Sequence, residues 1–318
     1  MENEVNLSGQ AVPWERATIE KLLFAELRER RAARRWRLLR SLLWMGLVGA
    51  LVWVLASEQL PSATPSSAHT AMVAIKGEIS DAGEGSAEYI LPALRSAMQD
   101  KGAQALVLLI NSPGGSPVQA GLIHDEIRRL RVLHDKPVYA VVEESCASAA
   151  YYIAAGADRI YVDKASLVGS IGVLINGFGF TGTLDKLGVE RRLLTAGENK
   201  GFLDPFSPQS DAQRAHAQRM LDQIHQQFIG VVRQGRGERL KETPEMFSGL
   251  FWTGEQAVQL GLADGLGSLD MVAREVVKAE KLVDYTNKEN IAERFAKRLG
   301  ASVGQGAMAA LRGGAGWR

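Results

Sequence analysis

Serine and lysine, rather than cysteine or histidine, stand in the surroundings that suit nucleophilic chemistry in this chain. Ser148 lies in residues 144–152, ESCASAAYY, where an apolar run at 137–143 passes through small residues into a helical pattern. Small neighbours permit a sharp strand-to-helix turn that lifts a hydroxyl out of the backbone. A serine at a helix start also suits N-capping, and the local sequence leaves both roles open. Cys146 is the rival nucleophile and would need a base partner, usually histidine. No histidine occurs between His134 and His216, so Cys146 reads as a small buried residue. The five histidines are placed poorly for a triad. His69 falls in a linker, His124 and His134 on or just after a helix, and His216 and His225 on a polar-rich helix, so all read as surface. A serine without imidazole needs another base, and a lysine kept neutral by desolvation supplies one. Lys200, in TAGENKGFLDPF (195–206), sits among Gly, Phe, Leu and Pro. A third loop, NSPGGS at 111–116, comes after the apolar run 105–110; its paired glycines can expose backbone N–H groups to an oxyanion, or make a simple turn.

These loops need strands to hold them. Strands are expected at 70–79, 105–110, 137–143, 159–163 and 190–197, with a Gly-punctuated strand or loop at 167–175. Helices are expected at 87–100, 117–133, 148–156 and 208–234, and two more around a short strand in 253–277. Continuous apolar runs such as ALVLLI mark strands buried on both faces. Strand–helix alternation predicts an α/β fold with a largely parallel sheet over 71–280, whose loops after the strands carry the chemistry.

The overall charge of +1 hides a segregation. Seven arginines and one glutamate give 28–40 a charge of +6, which leaves −5 on the remainder. Directly after them, 41–57 carries no charged residue. Seventeen helical residues rise about 25 Å, close to a hydrocarbon core, and Leu38 and Leu39 extend the run. The expected organisation is a cytoplasmic basic amphipathic segment at 1–37, one N-terminal transmembrane helix at 38–57, and a Ser/Pro-rich linker at 58–70. A folded domain at 71–280 and a C-terminal helix and flexible tail at 281–318 complete the chain. The positive-inside rule puts everything after 58 outside the cytoplasm. A cleaved signal peptide is the competing reading, against which the long N-terminal region stands. A single cysteine excludes an intramolecular disulfide and a cysteine-built zinc site.

Taken in order, IKGEI, INSPGGSP, CASAAYYIAAGADRIYVDKASLVGSIGV, TAGENKGFLDPF and FWTGEQAVQLGLADGLG resemble the bacterial signal peptide peptidase A family, in its one-module, SohB-like, membrane-anchored branch. The resemblance implies a ClpP/crotonase-like fold and a Ser/Lys-dyad serine endopeptidase. It implies Ser148 as nucleophile, Lys200 as general base and Ser170 as the hydroxyl that orients the lysine. Gly114, Gly115 and the N–H of Ala149 align with the oxyanion hole. It implies no metal or other cofactor, no nucleic-acid partner, and a homo-oligomer whose dyad forms between subunits. Implied substrates are signal peptides or other unfolded apolar segments at the inner membrane, with the catalytic domain periplasmic. Many members carry Gly-Gly after the nucleophile where this chain has Ala149 and Ala150; alanine keeps the N–H. A crotonase-like acyl-CoA enzyme and an inactive membrane scaffold are the alternative readings.

Overall fold

The computed structural model describes residues 35–50 and 67–287. Residues 35–50 form helix α1. Among the described residues no helix is long and apolar enough to cross a membrane. The expected span at 38–57 continues through 51–57, which lie outside the described residues. So do the segment 1–34, most of the linker and the tail from 288.

The folded unit is built on an eight-stranded sheet in the order β6-β5-β3-β2-β1-β8, with β4 beside β3 and β7 beside β4. The strands are β1 (His69–Lys76), β2 (Ala103–Ser112), β3 (Val138–Ala147), β4 (Arg159–Val162), β5 (Leu167–Gly169), β6 (Phe251–Thr253), β7 (Gly265–Leu266) and β8 (Leu282–Asp284). All pairings are parallel except β5 with β6. The continuous apolar runs have the expected cause. Leu106, Leu108 and Ile110 of β2 face one core cluster, while Val107 and Leu109 face a second on the opposite side.

Helices α2 (Ala87–Gln99), α3 (Pro117–His134) and α4 (Ala149–Ala154) contribute to the larger cluster. Ser86 caps α2, and Ser116 caps α3 ahead of Pro117 in its first turn. A short α5 (Thr181–Lys186) precedes the long α6 (Asp211–Arg236), which opens with a Ser210–Gln213 capping box. Then come α7 (Gly254–Gln259), the single turn α8 (Leu269–Met271) and a π-helical stretch at Val272–Val277.

Three expectations change. Residues 190–197 are not a strand: they lie exposed and irregular, because the described residues offer them no ladder partner. The segment from 281 opens as a strand, because Thr70–Met72 of β1 present an open edge that Leu282–Asp284 fills, while the rest of the expected helix and tail, 288–318, lies outside the described residues. The linker ends earlier than 70, since His69 already pairs with Ala103 in the sheet.

Candidate active site

Strand β3 runs four residues past its expected end and stops directly before Ser148. Its first half pairs with β4 and its second half with β5. Opposite β2 the register jumps from Ile110↔Val142 to Ser112↔Cys146, so extra β3 residues bulge out beside the site. A bulge of this kind bends a strand and re-aims the residues beyond it. Ser148 then adopts φ 51° and ψ −123°, outside the favoured regions for a residue with a Cβ. Its N–H donates to Gly169 O at 2.8 Å and its carbonyl accepts from Tyr152 N at 3.0 Å, which holds the strained turn at both sides. The side chain makes no capping bond to α4. The hydroxyl is therefore not spent on capping the helix.

The Gly-Gly loop lies against this turn. A Cβ on Gly114 would stand 2.6 Å from Ser148 Cβ and 2.8 Å from Ala147 O. One on Gly115 would stand 2.0 Å from Ile79 O. Both glycines also have positive φ, 106° and 144°, so close approach and backbone conformation together require glycine. The Gly114 N–H is taken by Ser112 Oγ at 3.2 Å. Neither Gly115 N–H nor Ala149 N–H has an acceptor among the described residues. The two free donors are therefore Gly115 and Ala149, and Gly114 supplies clearance.

Ser148 and Ala149 open into a cleft of about 760 Å³ that also takes in Gly115 and Ser170. Ser170 too has positive φ, 50°, with its N–H held by Leu250 O at 2.8 Å. Tyr152, Val173, Leu174, Met220, Ile224 and Phe228 make the walls largely apolar. The α6 contribution was missed in the sequence, although Met220, Ile224 and Phe228 recur at four-residue spacing in an otherwise polar helix.

Lys200 does not reach this cleft within its own chain. It is exposed in a turn, its N–H bonded to Gly197 O at 3.1 Å, and it is absent from the cleft wall. The surrounding segment presents large apolar side chains to solvent, with Leu194 97% and Phe178 76% exposed. The structure joins Ser148, Ser170, Gly115 and Ala149, and leaves Lys200 apart.

Cys146 is fully buried, and burial pushes its thiol far above the range of a usable nucleophile. No histidine lines the Ser148 cleft. Two of the five are nevertheless not surface residues. His69 is buried in β1 against Tyr285 and Asp100, and His124 is 3% exposed against Tyr152. Both burials depend on contacts with partners distant in sequence, which local polarity does not show.

Known proteins share parts of this sequence. Residues 131–284 match the family model described as Peptidase family S49. That match to the S49 peptidases spans just under half of the chain. The chain is 31% identical over 222 residues to "Putative signal peptide peptidase SppA" of Enterococcus faecium, covering 67% of this chain and 64% of that one. "Protease 4" of Haemophilus influenzae is 30% identical over 218 residues, 67% of this chain and 35% of that one. A stretch of 184 residues is 48% identical to part of a protein of Brucella abortus (strain 2308) named "Na(+)/H(+) antiporter NhaA", covering 57% of this chain. This chain spans only 25% of that longer protein, and the antiporter name belongs to it alone. The chain carries a mixed α/β domain with a mostly parallel sheet.

Proposed function

We propose that this chain is a membrane-anchored serine endopeptidase in which Ser148 attacks the peptide carbonyl and Lys200 of a neighbouring copy acts as general base. The observation that carries the reading is the strained turn at Ser148. It presents an uncapped hydroxyl beside two unspent N–H donors in an apolar cleft. The exposed apolar segment around Lys200 supports the assembly, because such a surface is normally covered by a partner. In a ClpP/crotonase-like ring a neighbour would close the cleft with it.

The chemistry comes from that arrangement. The Lys200 amine, desolvated at the subunit junction, takes the Ser148 proton as Oγ bonds to the carbonyl carbon. The carbonyl electrons move to oxygen, where Gly115 N–H and Ala149 N–H hold the negative charge. Ser170 Oγ orients the lysine. Collapse expels the amine product, which receives the proton from Lys200, and leaves an acyl-enzyme. Water, deprotonated by the same lysine, then releases the acid. The apolar walls favour signal peptides or other unfolded apolar segments. The arginine-flanked run at 38–57 would hold the domain at the outer face of the inner membrane.

The test is proteolysis of casein by the full chain and by Ser148→Ala and Lys200→Met. Each variant alone should fall to background. Mixed oligomers of the two should regain activity, because some junctions then hold one intact serine and one intact lysine. Unchanged proteolysis in Ser148→Ala would overturn the nucleophile. Failure of the mixture to regain activity, with oligomers shown to exchange, would put the dyad within one chain. Modification of an engineered cysteine at position 62 from the periplasmic side checks the orientation.

A further inference from the structure

The backbone at the end of β5 holds two strained serines at once. Gly169 O accepts from Ser148 N at 2.8 Å and so helps to fix that turn at φ 51°. Ser170 follows at φ 50°, and its N–H donates to Leu250 O at 2.8 Å. Gly172 N donates back to Ser170 O at 2.9 Å, which closes a three-residue turn with Ile171 at its centre. A residue with a Cβ keeps a positive φ only where its surroundings over-determine it. What surrounds this turn therefore decides where the Ser170 hydroxyl points.

Backbone supports it at one point. Gly172 packs so closely on Gly249 that an added Cβ would lie 3.0 Å from Gly249 Cα. A single side chain supports it at another. His225 of α6 is half-buried, and its Nε2 lies 3.1 Å from Ile171 O. A carbonyl oxygen only accepts, so Nε2 carries the hydrogen and donates. Ile171 O has no other partner among the described residues, because the turn is closed on the carbonyl of Ser170 and not on that of its central residue. The Ile171 side chain is fully buried in the larger core cluster, which anchors the centre of the turn. Loss of the His225 donor would leave this carbonyl unpaired beside the cleft.

This bond joins two walls of the cleft. Ser170, Gly172, Val173 and Leu174 belong to one, and Met220, Ile224 and Phe228 of α6 belong to the other. Phe228 is the first buried residue of α6, so packing holds the preceding stretch loosely and the His225 bond fastens it. The imidazole is not itself part of the cleft wall. It is therefore placed to act through the backbone and not on a substrate. We propose that His225 is a positioning residue for the Ser148 chemistry: by holding Ile171 O it fixes the Ser170 turn and sets the separation of the two walls. This inference rests on the roles proposed above for Ser148 and Ser170.

The test uses the full chain in detergent and a fluorogenic peptide of apolar residues. His225→Leu keeps the bulk and removes the donor. Its kcat should fall about ten-fold, the order of one lost hydrogen bond, while KM stays within about two-fold. His225→Gln, whose amide nitrogen can reach the same carbonyl, should recover most of kcat. Melting temperatures verify that both variants fold. Nitrogen-15 NMR of the histidine-labelled wild-type chain reads the bond without any variant and should show Nε2 protonated. An unprotonated Nε2 overturns the inference. So does wild-type kcat in His225→Leu, a change confined to KM, or a loss that His225→Gln does not recover. Ser148→Ala keeps the two failures apart. If Ser148→Ala still cleaves the peptide, the nucleophile reading has failed. If it is inactive while His225→Leu keeps wild-type kcat, only the role of His225 has failed.

Discussion

At the carboxyl ends of β2 and β3 the chain keeps a serine at φ 51°, two N–H groups without acceptors and an apolar cleft open to solvent. At the amino ends of β3 and β4, and around β7, it does the reverse. Asp264 Oδ2 accepts from Ile160 N at 2.7 Å and from the buried Arg236 at 2.8 Å, and Arg239 takes its other oxygen. Tyr151, in the helix that follows Ser148, donates to Leu262 O at 2.7 Å, two residues from Asp264. Gly235 of α6 packs so tightly on Ala155 O that a Cβ would lie 2.0 Å away. Around Asp264 the polar groups bond largely within the fold, whereas beside Ser148 two N–H groups have no acceptor among the described residues. A strained turn persists here because its helix is fastened from behind.

Perturbing each end should separate activity from stability. The largest effect is expected from Gly114→Ala, whose methyl group must displace Ser148. Casein cleavage should drop by about 10²-fold or more, with some fall in melting temperature from the strain of a Cβ at φ 106°. A large fall in melting temperature with activity kept would show that the loop serves the fold instead. Arg236→Met should do the opposite, leaving Asp264 buried without its main partner at a cost of about 3 kcal/mol, read by denaturant unfolding.

Acid titration probes the fastened end directly. Burial alone would raise the Asp264 carboxyl, but the Arg236 hydrogen bond and charge outweigh it and hold it below the ordinary range. A depressed carboxyl stabilises the fold above its unfolded value of about 3.9, and that contribution disappears as pH falls through the folded value. Stability should therefore decline on acidification, and Asp264→Asn should flatten that decline; an unaltered acid limb would remove Asp264 from the account. The smallest effect on the chain itself is expected from Leu194→Ser. Its side chain contacts mainly solvent, so unfolding should shift by no more than about 0.5 kcal/mol. Its particle mass by light scattering should fall if this segment joins subunits, and an unchanged mass argues against that use.

Much of the catalytic end was legible because its signals are local. The apolar runs of β2 and β3, the small residues around Ser148 and the glycines at 114 and 115 each reflect a constraint met within a few residues. What escaped depends on distant partners. The extension of β3 to Ala147 is set by β5, some twenty residues on. The burial of His69 needs Tyr285, and that of His124 needs Tyr152. Residues 190–197 have a strand-like composition, but a strand is a pair, and one sequence does not reveal whether the other member exists. Lys200 was legible as a residue type in a loop; its separation from the cleft of its own chain was expected only through the resemblance, which implies a dyad between subunits, because no local signal carries it.

Cys146, the chain's sole cysteine, is wholly enclosed between the sheet and α4. Thiol reagents should pass over the native protein without reacting, so any cysteine installed on the surface becomes the single point of attachment. A fluorophore or spin label could then be placed beside Lys200 without first altering Cys146, two residues before Ser148. The native sequence is its own labelling background, and late modification of Cys146 would time the opening of the core.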